Sequence, residues 1–362
     1  MTLVLKCVSC GTNYCVIKGM FYLQKYEGSI NNVRLVGIAA SVPKRLIDNL
    51  SFAEQMGGKR NKRQIALTGI KYRHICAEGQ AASDFATVAG EKLLSHLGWQ
   101  RDEIKVLIFV TQQPDLSRPS TAMLIQRRLG IGIDCTCFDV NMGCSGFTVG
   151  LQIIASMLSV VGGKGLLLVG DGRYAGEDGM LSRSDLLFGD AGAAAAVEVQ
   201  PGYNMLFNQK SDGNRVDMIM CRRNGNSQMD GNGVLMMALN EVSDNIKLFR
   251  MENKLAETDI DYYVFHQGQK IILQGIASEC GIAWEKTLNS YENYGNTSSA
   301  SIPLSICVNE QLLKEQKQVR LLMSGFGIGL SWGCVYLNMN TENILPVIET
   351  DYVAPDKKEF NL

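Results

Sequence analysis

A surplus of charge is missing from this chain: 35 Lys and Arg stand against 36 Asp and Glu, a formal net charge of -1 at pH 7. So even a balance gives no electrostatic footing for nucleic acid or an anionic membrane as the main partner. Long apolar runs are missing too. None approaches the ~20 residues that span a bilayer, so no membrane insertion is expected. The opening stretch, MTLVLKCVSCGTNYCVIKGM, is mildly apolar, but polar residues break it up and no clean cleavage site follows. No secretory leader is expected from it. Low-complexity sequence is absent, and no Lys-Ser/Thr pair follows a glycine-rich stretch to make a phosphate loop. Histidine is scarce, with three in the chain. Cysteine is not scarce, but its eleven residues are an odd number with little regular spacing. That pattern fits reduced thiols in a cytoplasm rather than a disulfide framework. Cys7 and Cys10 form a CxxC with Cys15 nearby, yet no second CxxC or paired histidine completes four zinc ligands. They read as incidental thiols, and no metal site is expected.

What is present is a large apolar core in the making. The chain has 362 residues, 46% apolar and 20% charged. That suffices for two domains, or for one body made of two similar halves. Apolar runs that read as strands fall at 33–40, 104–112, 135–140, 165–171 and 192–199. Helical patterns fall at 83–97, opened by Ser83 and Asp84, at 119–129 and at 145–161. The theme then repeats: a strand near 204–209, a long helix near 237–253, a strand at 262–267, helices at 269–279 and 297–315, and two strands around a glycine-rich turn in 319–339. Continuous apolar strands between helices imply sheets covered on both faces, an α/β architecture. The expected divisions are an extension of unassigned role (1–32), a first half (33–200), a second half (201–340) and a surface tail (341–362) marked by Pro346, Pro355 and charges.

Three polar residues draw attention. Cys144 lies in DVNMGCSGFTVGLQ, at the seam between an apolar strand and an apolar helix. Unpaired N–H groups and the dipole at a helix start favour a thiolate there, and small neighbours leave room for a substrate. Those N–H groups also suit an oxyanion. A packed core thiol fits the same residues. His266 ends the strand YYVFH, at the sheet edge where α/β proteins gather ligands; a satisfied core histidine is the alternative. His74 and His96 look structural. Asn296, in YGNTSSASIP, stands directly before a helix, where a cap is the ordinary role. GFGIG (325–329) is a tight turn.

Together these features resemble a family. GCSGF around Cys144, FHQ around His266, YGNTSSAS around Asn296, LFGDAGAAAAVE (187–198) and GFGIGLSWG (325–333) occur in the order and spacing of the β-ketoacyl-[acyl-carrier-protein] synthase III family. TGIKYRHI (68–75) and TQQPDLSRPSTA (111–122) are similar to two further signatures. The resemblance covers roughly 33–340. It implies a thiolase-like fold, two βαβαβ-type halves in five αβαβα layers, assembled as a cytoplasmic homodimer. It also implies a decarboxylating Claisen condensation. Cys144 becomes acylated, with the oxyanion held by backbone N–H groups of Cys144 and Gly327. Malonyl-acyl carrier protein then enters on its phosphopantetheine arm, and His266 and Asn296 donate to the thioester oxygen as carbon dioxide leaves. Acyl-CoA or an acyl-carrier donor supplies the first group, and no bound cofactor is implied. Elongating condensing enzymes use a second histidine where Asn296 stands. Thiolases need a second cysteine, for which Cys334 lies wrongly, beyond the glycine turn.

The resemblance thins around the cofactor clamp. The family's tryptophan and arginine ahead of TGI read here as Arg63 and Leu67. HQAN becomes HQGQ, placing Gln269 where the asparagine contacts pantetheine, and a docking arginine becomes Ile271. An unusual or carrier-bound first acyl group is therefore expected, as in divergent members, whose MDG segment MDGNGVLMMALNEV (229–242) resembles. Gln269, Met123, Met142 and Phe326 are the expected substrate-contacting residues, since methionine fills irregular apolar space. The basic run KRNKR offers Lys59, Arg60 and Lys62 as a dock for an acidic carrier protein; a solvated loop is the alternative. Two other functions stay open: acyl transfer from Cys144 to an oxygen or nitrogen nucleophile, and a non-catalytic subunit of a heterodimeric system.

Overall fold

The computed structural model describes residues 4–6, 13–17, 20–21, 28–55, 59–172, 186–222 and 227–360. Cys7 and Cys10 lie outside the described residues, as do the side chains of Cys15, Lys59 and Arg60.

The main strands are β1 (Gly28–Pro43), β2 (Ile104–Val110), β3 (Thr136–Val140), β4 (Lys164–Asp171), β5 (Ala191–Ser211), β6 (Tyr262–Phe265), β7 (Gln318–Gly327), β8 (Ser331–Asn340) and β9 (Ile348–Thr350). They pair in the order β3–β2–β4–β5–β8–β7–β6, with β1 along β5 and β9 on the edge of β1. The helices used below are α1 (Lys59–Thr68), α2 (Ala82–Leu97), α3 (Thr121–Arg128), α4 (Gly146–Val161), α5 (Gly231–Met237), α6 (Ser243–Glu252), α7 (Lys270–Glu279) and α8 (Ser301–Val308).

Alternation along the strands builds the layers, because successive side chains leave opposite faces. In β2, Val106, Ile108 and Val110 enter a central core with α4 and α8, while Leu107 and Phe109 enter an outer core under α2 and α3. In β6 and β7, Val264, Leu321 and Met323 join that same central core, and Tyr263, Phe265, Leu322 and Phe326 face a second outer core under α6 and α7. Helix α4 lies in the middle, where Leu151, Ile154, Ala155 and Leu158 repeat at i, i+3, i+4 and i+7 and are fully buried. The order is helix, sheet, helix, sheet, helix: five layers, as expected.

Three expectations change. The strands foreseen at 192–199 and 204–209 are one, β5, whose register against β1 breaks between Val199 and Asn204. Its first part pairs with β4 and its second with β8, so the expected division at 200/201 falls inside a continuous strand. The helix foreseen from 237 starts earlier, because Asp230 caps it by accepting the Gly233 N–H at 3.0 Å, and a π turn (Ala238–Val242) joins α5 to α6. The expected surface tail is part of the body. β9 pairs parallel with β1, Ile344 and Leu345 are buried, and Lys357 forms a buried ion pair with Asp84. Its prolines and charges hid an apolar anchor. Among the described residues no helix is long and apolar enough to cross a membrane.

Candidate active site

Packing against β2 and the β7–β8 turn decides where Cys144 sits. A Cβ on Gly146 would lie 2.6 Å from Val110 Cγ1, so glycine lets α4 begin this close to the sheet. Ser145 Oγ meets Ser331 Oγ at 2.6 Å, tying the start of α4 to the turn between β7 and β8. Within that turn Gly327 has φ 151°, and a Cβ there would lie 2.6 Å from Cys144 Cβ and 3.0 Å from its sulfur. The turn backbone therefore rests on the thiol. The N–H groups that favour the thiolate belong to Ile328 and to Cys144 itself. The expected pair was Cys144 and Gly327; of the two turn residues, Gly327 supplies room beside the thiol and Ile328 the backbone donor that acts on it. A correction concerns the thiol. Cys144 is half-buried and lines a cavity, and desolvation pushes its pKa up to about 11, with the Asp171 charge adding to the rise against those donors. Loss of water outweighs the helix start.

His266 follows β6 directly and is 3% exposed. Its Nδ1 lies 2.8 Å from Ser301 Oγ, and that oxygen also accepts the Gln267 N–H at 3.4 Å. With the serine hydrogen assigned to Nδ1, the ring hydrogen sits on Nε2, and this is the tautomer used below. Burial lowers the imidazole pKa from 6.5 to about 4, so the ring is neutral. Phe326 stands edge-on to it, with centroids 5.4 Å apart.

Asn296 is fixed by its backbone, which donates to Leu187 and accepts from Gly189, and by its side chain. Oδ1 accepts the Ser298 N–H at 2.9 Å, so the Nδ2 hydrogens are what the carboxamide offers to the cavity. Ser298 joins the three residues. Its N–H holds Asn296, its hydroxyl acts on Cys144 and its backbone acts on His266, all from a left-handed conformation at φ 51°.

The cavity beside the sulfur is small, about 80 Å³, with Gln112, Asp171, Asn296, Ser298 and Ile328 among its lining. A larger concavity of about 830 Å³ lies by Lys92 and Tyr352, and no cysteine is among its described lining. Ser298, Asp171 and Ile328 were not foreseen from sequence; the polar run after Asn296 was the one signal.

The other expected residues divide. Gln269 begins α7, its carbonyl accepting the Ile272 and Leu273 N–H groups. Phe326 backs His266. Met142 packs on the central core. Met123, on α3, is 47% exposed and is not in the described cavity lining, because α3 turns Ala122 and Ile125 inward instead. Lys62 is on the surface, paired with Glu54 at 2.7 Å. Cys334 is sealed in the second outer core, 3.5 Å from Asn245 Nδ2 and away from the site.

Residues 138–213 match the family model described as 3-Oxoacyl-[acyl-carrier-protein (ACP)] synthase III, and residues 251–339 match its C-terminal counterpart. A beta-ketoacyl-[acyl-carrier-protein] synthase III from Staphylococcus epidermidis is 34% identical over 310 residues, covering 84% of this chain and 98% of its own. One from Neisseria meningitidis is 30% identical over 315 residues, with the same coverage. The crystal structure of a 3-oxoacyl-(acyl-carrier protein) synthase from Burkholderia xenovorans superposes with a TM-score of 0.84 at 30% identity, covering 90% of this chain and 99% of that one. OleA of Xanthomonas campestris, at 21% identity and a TM-score of 0.76, covers 85% of this chain and 98% of its own and shares the fold.

Proposed function

The chain belongs to the 3-oxoacyl-[acyl-carrier-protein] synthase III family, and from that premise we propose how its own residues condense an acyl thioester with malonyl-acyl carrier protein. Cys144 attacks the acyl thioester; a carbon–sulfur bond forms to Sγ as the donor thiol leaves. The oxyanion of this step is held by the Cys144 and Ile328 N–H groups. A malonyl thioester on its phosphopantetheine arm follows. As carbon dioxide departs, charge gathers on the thioester oxygen, where His266 Nε2–H and the Asn296 amide donate. The carbanion carbon then attacks the acyl carbon, the Cys144 thiolate leaves, and a 3-oxoacyl thioester is released. The neutral His266 suits this role, since a donor without charge stabilises an enolate without protonating it outright. The observation that carries the reading is Ser298, which holds Asn296, lines one cavity with Cys144 and Asn296, and has a backbone that bears on His266.

The first donor is proposed to be a carrier-bound or otherwise unusual acyl group. Leu67 (51% exposed) and Ile271 (41% exposed) present apolar surface where the family carries a polar clamp. Lys59, Arg60 and Lys62 on α1 are proposed to dock the acidic carrier; an exposed pair such as Lys62–Glu54 is worth at most about 1 kcal/mol and yields readily. A homodimer is supported by β3, which has β2 as its one neighbour among the described residues and half-exposed side chains along Cys137–Val140. The reduced cysteines support a cytoplasmic location.

The test supplies an acyl-CoA or acyl-carrier panel together with malonyl-carrier labelled in its carboxyl carbon. Condensation releases labelled carbon dioxide and a 3-oxoacyl-carrier. Acyl transfer to an added alcohol or amine without carbon dioxide release would overturn the reading.

A further inference from the structure

The reaction above gives no work to Asp171, a buried acid. Asp171 ends β4, is 9% exposed, and shares the cavity lining with Cys144 and Asn296. Its Oδ1 accepts the Gln112 N–H at 2.8 Å and the Thr111 hydroxyl at 3.2 Å, and its Oδ2 accepts the Ser299 hydroxyl at 3.2 Å. These donors are neutral. A buried carboxylate held by neutral groups alone is an expensive feature for a fold to keep, and desolvation raises its pKa.

Ser298 lines the same cavity as this acid and the thiol, and its hydroxyl favours the charged form of both Cys144 and Asp171. One hydroxyl has one hydrogen, so it serves one of them at a time. While the thiol keeps its proton the hydroxyl donates to Asp171; once the sulfur is charged it donates there instead. The left-handed backbone at Ser298, φ 51°, is the strained conformation that sets the side chain in this place. His266 is a poor rival base, since Ser301 occupies Nδ1 and burial lowers the imidazole pKa to about 4. The titratable groups facing Asp171 are Cys144 from the start of α4, Asp190 across the cavity, Cys76 beside Gly172 and, through Ser298, His266.

We propose that Asp171, acting through Ser298, is the proton acceptor that frees the Cys144 thiolate in the acylation step. The S–H bond breaks and its proton passes to Ser298 Oγ, while the serine's own hydrogen moves to an Asp171 oxygen. The sulfur electron pair forms the new bond to the acyl carbon. The donor's carbon–sulfur bond breaks, and the departing thiolate takes up the proton held on Asp171 by the reverse path. Asp171 and Ser298 are positioning residues for the nucleophile. The inference rests on Cys144 being the acylated residue.

Single-turnover acylation of the full chain by butyryl-CoA and by butyryl-carrier protein, read by intact mass between pH 6 and pH 10, tests it. Asp171→Asn and Ser298→Gly (which keeps the left-handed backbone without strain) should both acylate roughly 10²-fold more slowly than the unaltered enzyme at pH 7. Both deficits should shrink to a few-fold by pH 10, as hydroxide takes over the thiol proton. A deficit equal at every pH would mark a structural role and overturn the proposal. Acylation of Asp171→Asn at the unaltered rate or faster at pH 7 would overturn it too, since the carboxylate would then only oppose the thiolate. An unaltered enzyme that takes iodoacetamide on Cys144 but no member of the acyl-CoA and acyl-carrier panel would refute the nucleophile reading instead, a distinct failure.

Discussion

At the scale of single residues, the site is an arrangement of neutral donors around one sulfur, and burial sets the charge states. His266 shows this most directly, because its pKa falls from 6.5 towards about 4 in the folded protein. The folded state refuses a proton that the unfolded chain accepts below about pH 6.5. Stability therefore drops as pH falls through that window, by up to about 1.4 kcal/mol per pH unit, until about pH 4. Urea denaturation between pH 4 and 7 should show this slope in excess of that of His266→Asn; parallel curves would contradict the buried neutral imidazole. Cys144, His266 and Asn296 were legible in the sequence because each sits in a quoted motif. Ser298, Asp171 and Ile328 were not. A left-handed serine looks like any serine in NTSSAS, and an acid at the end of an apolar strand gives no sign of which cavity it enters.

At the scale of elements, glycines and a strand bend do the positioning. Gly327 lets the β7–β8 turn lie on Cys144, and the register break in β5 hands the chain from one sheet to the other. Alternating apolar strands and the amphipathic α4 were readable from periodicity. The docking of residues after 340 was not, because ILPVI is short and lies among prolines and charges, while its partners Ser41 and Asp84 are some 300 residues earlier in a contact that only folding creates. That docking has a measurable weight. Lys357→Met leaves Asp84 buried without its ion-pair partner, and should cost about 3 kcal/mol in urea denaturation. A change under about 0.5 kcal/mol would mean the tail does not hold the body.

At the scale of the whole molecule, five layers bring strand ends together, so Cys144 arrives from one part of the chain and His266 and Asn296 from another. The fold class was legible because both halves repeat the same apolar rhythm; the single strand that links them was not, because Pro201 and Gly202 read as a boundary. Assembly is the remaining consequence. The open edge of β3 predicts a particle of twice the chain mass by light scattering at micromolar concentration. A monomer at that concentration would contradict a dimer through this edge. The most direct test of the central claim follows the acyl group itself. Unaltered enzyme, Cys144→Ala and Asn296→Ala are incubated with an acyl thioester and then with malonyl-carrier, and the peptide bearing residue 144 is weighed before and after. The account predicts an acyl adduct that malonyl-carrier discharges in the unaltered enzyme, no adduct in Cys144→Ala, and an adduct that persists in Asn296→Ala. An adduct on another residue, or equal discharge in Asn296→Ala, would contradict it.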